Sequence, residues 1–187
     1  MSNLGLVTTP VPGVNSPYEN ARQALRVIGG STVLVATEFI RPANTTAYAA
    51  KDVVGPAVTA VLTFTNIARE VGGGGYLTKA RLLTSQSANA ARYRLHLYHT
   101  APTAIADNAP FTLLWANRAN RLGSIDFAAA GTEGSGSDAA NCLNTEIRLA
   151  FVCAASNRSL YGLLETLDAF TPTSGQQYFV ELTAETN

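Results

Sequence analysis

With 187 residues the chain is one domain long and can bury about 70% of the surface its unfolded form exposes, enough to fold without disulfides or metals. Thirteen basic and thirteen acidic side chains give zero net charge, which argues against a nucleic-acid binder, whose phosphate contacts demand a basic face. Only 14% of residues are charged, against about 25% in an average soluble domain, so a surface partly covered by partners is expected.

Residues 1–15 hold Pro10, Pro12 and Gly13 and read as an extended arm. The start, MSNLGLVTTPVPG, has no basic segment followed by an apolar core, so no signal peptide is expected. In SPYENARQALRVIGG, Ser16 is a helix cap, Pro17 suits the first helical position and Glu19 completes a capping box. Ala21, Ala24, Leu25 and Ile28 recur at helical spacing until Gly29-Gly30 stops the run, giving one short helix. Residues 1–30 are therefore an arm and helix ahead of a single domain at 31–187.

Beyond residue 30 the apolar period becomes two. Strands are predicted at 32–40, 58–66, 76–85, 92–100, 122–128, 146–154, 159–168 and 177–185, separated by Gly, Pro, Asn and Ser clusters. In VTAVLTFTN (58–66), Val58, Ala60, Leu62 and Phe64 share one face. RYRLHLYHT (92–100) sets Tyr93, Leu95 and Leu97 against Arg92, Arg94, His96 and Tyr98. EIRLAFVCA (146–154) sets Ile147, Leu149, Phe151 and Cys153 against Glu146 and Arg148, and QYFVELTAE (177–185) sets Tyr178, Val180 and Leu182 against Phe179, Glu181 and Thr183. A short helical turn fits around Trp115 in FTLLWANRANRLG (111–123). The expected fold is all-β: an antiparallel β-sandwich of about eight strands, for which the jelly roll is the commonest solution. The longest apolar run, LAFVCAA (149–155), is too short to span a bilayer.

The motifs that would carry chemistry are weak. EVGGGGYL (70–77) joins two β-type segments, and Lys79 is followed by Ala80, so it reads as a flexible hairpin connection rather than a phosphate loop. His96 and His99, three apart on a strand, point to opposite faces and cannot chelate one metal together. GTEGSGSDAAN (131–141) only echoes a nucleophile elbow, has too few carboxylates for a calcium loop and reads as a mobile loop. A carboxylate pair meeting from distant strands is the one hydrolytic arrangement left open. Cys153 lies on an apolar face, and a disulfide to Cys142 is unforced; a reduced history in the cytoplasm is expected. The chain thus offers no catalytic, cofactor-binding or metal-binding set.

What remains is contact chemistry. Arg92, Arg94, His96 and Tyr98 form a polar stripe that fits a binding face or the solvent side of a half-covered sheet. RPANTTAYAAKDVVG (41–55) offers small residues, a Tyr that reads as exposed and a Lys-Asp pair. Candidate protein-contact residues are Tyr18, Tyr48, Lys51, Asp52, Arg92, Arg94 and Tyr98.

The segment TAYAAKDVVG (46–55), the strand after it, the AREVGGGG turn (68–75) and the following strand into Thr84-Ser85 resemble a pattern in structural proteins of tailed bacteriophages. LYHTAPTAIADNAPFTLLWAN (97–117) and SLYGLLET (159–166) are similar too, so the resemblance spans most of 38–184. Lys51-Asp52 departs from the Gly-Asp or Asn-Asp step of that pattern. The resemblance implies a jelly-roll cement or decoration protein on the capsid exterior, made in the host cytoplasm. Its implied partners are the major capsid protein and further copies of itself, as dimers or trimers, with no nucleic acid, membrane or cofactor. In that role the 41–55 segment is a connector first and a contact loop second. The competing expectation is a receptor- or glycan-binding module of a tail or head fibre, with Arg94, Tyr98, Trp115 or Tyr161 as its platform.

Overall fold

The computed structural model of the chain describes residues 31–57 and 61–186. The arm, the short helix with Tyr18, and positions 58–60 of the second expected strand lie outside the described residues. The strands are β1 (Ser31–Ile40), β2 (Val53–Val54), β3 (Leu62–Phe64), β4 (Gly74–Thr84), β5 (Tyr93–Tyr98), β6 (Arg121–Phe127), β7 (Gly131–Thr132), β8 (Ala140–Asn144), β9 (Leu149–Val152), β10 (Leu160–Thr166) and β11 (Gln177–Thr186). A single 3₁₀ turn, Trp115–Asn117, stands where the helical turn was expected.

Every described pairing is antiparallel. The first sheet runs β1-β11-β4-β8-β7, with β9 on the same side of β4 as β8; the second runs β2-β10-β5-β6, with β3 also on β10. With β2, β7 and β8 set aside as additions to the frame, the sheets read β1-β11-β4-β9 and β3-β10-β5-β6. Each sheet interleaves strands from the two ends of the chain, which is the strand order of a jelly roll.

The core between the sheets is built from the alternating positions the sequence marks. Leu62 and Phe64, Leu77 and Leu82, Tyr93, Leu95 and Leu97, Phe127, and Tyr178, Val180 and Leu182 are all buried. Each such large side chain contributes about 1.5–3 kcal/mol by leaving water. An aromatic line closes one end of the sandwich: Phe39 stacks on Tyr178, Tyr178 meets Tyr93 edge-on, and Tyr93 meets Phe170 edge-on.

Three local expectations change. The 131–141 run is not a bare loop, because β7 and the start of β8 pair within it. The glycine run is not only a connection, because Gly74 and Gly75 already lie in β4, between β9 and β11. A Cβ on Gly75 would collide with the Glu185 carbonyl and one on Gly74 with the Phe151 carbonyl, so the missing side chains let both neighbours close in. Finally, β5 is not half-solvated: His96 and Tyr98 are as buried as Leu95 and Leu97. The connection from β5 to β6 folds back over the outer face of the second sheet, and Ile105, Phe111 and Tyr161 pack there around Val53, Tyr98 and Leu163.

Candidate interaction surface

The 41–55 connection is fastened rather than free. Arg41 directly follows β1 with its side chain buried, and its guanidinium donates to the Tyr48 hydroxyl (Nε, 2.8 Å), the Asn44 carbonyl (2.8 Å) and Asp107 (3.4 Å). The Tyr48 hydroxyl in turn donates to Asp107 Oδ1 at 2.5 Å, and the same oxygen accepts from the Gly55 amide at 3.1 Å. The Tyr48 ring stacks on Phe170, and burial first, then the Asp107 bond, pushes its phenol well above its ordinary pKa. Lys51 takes a φ of 74° at the turn, and the buried Asp52 carboxylate accepts from the Ala49 amide at 2.7 Å. Tyr48 and Asp52, read as contact residues, therefore present almost no surface; Lys51 alone of the three is exposed. No short-range signal announces Arg41 as a buried hub, because its acid lies 66 positions away.

The stripe on β5 is likewise spent on neighbours. Arg92 grips Asp168 with two guanidinium bonds (3.0 and 2.7 Å), and these hold the Asp168 carboxyl down at about 2. Arg94 grips Asp126 the same way (2.5 and 2.8 Å). Both pairs are exposed, so solvent and salt screen them and they add little to stability. Tyr98 is 1% exposed, so of the stripe only Arg92 and Arg94 can touch another molecule.

His96 has an acid partner that its surrounding sequence does not show. Its Nε2 lies 2.8 Å from Glu165 on β10, its Nδ1 lies 3.5 Å from Arg121, and Phe111 stacks on its ring at 3.9 Å. Burial, outweighing Glu165, lowers its pKa. Among the described residues no group of three or more His, Cys, Asp or Glu side chains is placed to hold a metal ion. Cys142 and Cys153 are free thiols, both buried, and burial raises the pKa of each.

Two groups of exposed apolar side chains lie elsewhere. In the β5–β6 connection, Leu113, Leu114 and Trp115 are 56%, 37% and 79% exposed. They line a depression of about 290 Å³ together with Arg118 and Arg121, and no carboxylate lines it. Arg118 lies over the Trp115 ring at 4.7 Å and donates to the Trp115 carbonyl at 2.9 Å. The second place is the outer face of the first sheet, where Leu34, Ile40 and Leu143 stand exposed. Leu83, Phe179, Ile40 and Glu38 line a shallow depression there of about 520 Å³. Runs of exposed apolar residues and patches of this kind mark surfaces that another molecule covers. The sequence marked Trp115 as the centre of a helical turn and as part of a glycan platform; the adjacent leucines, apolar without strand or helix period, were the signal for a contact surface.

No protein-family model matches the chain, and no curated protein matches it. Among solved structures, it is similar to the C-terminal CBM6 of LamC, a marine laminarinase from Zobellia galactanivorans, at 10% identity over 82% of this chain and 99% of that one, with a TM-score of 0.33. A chain of the Israeli acute paralysis virus particle matches at 14% identity over 97% and 83%, with a TM-score of 0.30. A chain of turnip yellow mosaic virus matches at 12% identity over 98% and 90%, with a TM-score of 0.26. The jelly-roll assignment rests on the strand order of this chain itself.

Proposed function

We propose that the protein is a decoration or cement protein of a tailed-phage head, binding the outside of the assembled shell and bridging neighbouring major capsid subunits. The role is binding rather than catalysis. The observation that carries it is the Leu113-Leu114-Trp115 ridge, flanked by Arg118 and Arg121, on a domain poor in charge. Aromatic and Arg side chains dominate interface energetics when a partner desolvates them. The resemblance of 38–184 to phage structural proteins supports the identity of that partner. Binding to the assembled but not the free shell protein stabilises the shell by mass action, and many copies add avidity. Immunogold electron microscopy of intact virions with an antibody to this chain tests the proposal. Gold over the head supports it, and gold confined to the tail tip overturns it. Removing residues 1–15 is expected to abolish decoration of isolated heads; unchanged decoration would exclude the arm as a contact element.

The Trp115 ring also favours a second reading, a glycan-binding module, since an exposed aromatic face stacks on sugar rings. A glycan array read with the intact chain separates the two: a hit lost on Trp115→Ala supports it, and an empty array ends it.

A further inference from the structure

A sheet edge is a row of unpaired N–H and C=O groups that templates pairing with another chain, and proteins blunt edges by shortness, charge, Pro or bulges. Most edges of this sandwich are blunted. β2 and β7 are two residues long, β3 three and β9 four. β6 carries Arg121 and Asp126, a left-handed Gly123 at φ 156° and a break in register against β5.

Of these devices β1 has only a single charge. It is ten residues long, pairs with β11 in unbroken register, and among the described residues ends the first sheet with no strand hydrogen-bonded along its other side. It contains no Pro, Gly, Lys or Arg, and Glu38 is its one charge. Its sequence is that of an interior strand: Val33-Leu34-Val35-Ala36 runs apolar on both faces, as in strands covered from both sides. Leu34 and Ile40 on the outer face are each 59% exposed, and the inward-facing Val33, Val35 and Thr37 are only partly buried.

We propose that β1 pairs antiparallel with β1 of a second copy about a two-fold axis, joining two first sheets into one continuous sheet. Paired residues must point to the same face, and like charges must not meet. A two-fold at Val35 satisfies both. It sets Val35 against Val35, Leu34 against Ala36, Val33 against Thr37 and Glu38 against Thr32. The strand is self-complementary at this register, which is why a second copy is the occupant. An isologous contact of this kind closes on itself as a dimer. The pairing stands independently of which shell or ligand the protein binds.

The test is sedimentation of the full chain and of paired variants at the exposed positions 34 and 36. The wild-type protein is expected at twice the monomer mass. L34K/A36K sets like charges against each other twice and should weaken dimerisation at least tenfold, whereas L34K/A36E sets opposite charges there and should remain a dimer. V35C should cross-link between copies on mild oxidation, because facing Cα atoms in an antiparallel pair lie within disulfide reach, while T63C at an exposed position elsewhere should not. Far-ultraviolet circular dichroism confirms that each variant is folded. A monomer, a trimer or a dimer indifferent to the charge pair overturns the proposal. So does a monomer whose β1 amides exchange slowly with solvent, since another segment of the same chain would then hold the edge.

Discussion

At the scale of single residues, two buried polar pairs are the places where losing one partner is costly. Arg41 and Asp107 are both almost fully buried, so removing one leaves the other charge without its partner. Arg41→Ala is expected to cost about 3–5 kcal/mol in urea denaturation, and Tyr48→Phe, which leaves Asp107 short of one donor, about 1–3 kcal/mol. His96 gives a pH dependence whose sign follows from its surroundings: Glu165 against Nε2, Arg121 and Arg94 nearby, Asp126 across the β5–β6 pair, and Phe111 over the ring. Its folded pKa lies below its unfolded value of about 6.5, so the native state binds fewer protons than the unfolded one. The contribution is full above about 6.5 and is lost as pH falls through the folded pKa. Denaturation midpoints of wild type should therefore drop between pH 7.5 and 5, and those of His96→Phe should drop less. Asp168, held at about 2 by Arg92, loses its own contribution at lower pH and does not confound the comparison.

At the scale of elements, β4 is the strand on which the first sheet turns. It pairs with β11 along one side and with β8 and then β9 along the other. The glycines at its start are structural because backbone from both neighbours occupies the space a Cβ would need. Gly75→Ala is expected to destabilise by about 1–3 kcal/mol or more, as overpacking does. Gly131→Ala, at a position open to solvent, should stay within about 0.5 kcal/mol in the same thermal-melt series. The β5–β6 connection is the other decisive element. By folding over the second sheet it buries His96 and Tyr98 and leaves Trp115 exposed.

At the scale of the whole molecule, the sandwich is a rigid carrier for two separate apolar surfaces, the Trp115 ridge and the edge and outer face of β1. Trp115→Ala removes surface rather than core, so its melting temperature should match that of wild type while binding to isolated heads falls at least tenfold. A loss of stability without a loss of binding would give the ridge a structural role instead. The ridge and β1 are also expected to act independently: L34K/A36K should leave one-copy binding to heads intact and reduce only the avidity of the dimer.

Alternation along the chain determined the sandwich, because a period of two admits only strands with one face inward, and Leu62, Leu95 and Val180 went where their spacing put them. The eight expected strands all form in part, and Gly, Pro and Asn clusters separate them. What tertiary structure decided was which polar residues meet and which faces are covered twice. Arg41 finds Asp107 across 66 positions and His96 finds Glu165 across 69. Those pairings depend on how loops fold over sheets, which no local period encodes. Tyr48 and Tyr98 became core for the same reason. A tyrosine's place is set by what packs on its ring, Phe170 in one case and the returning β5–β6 connection in the other.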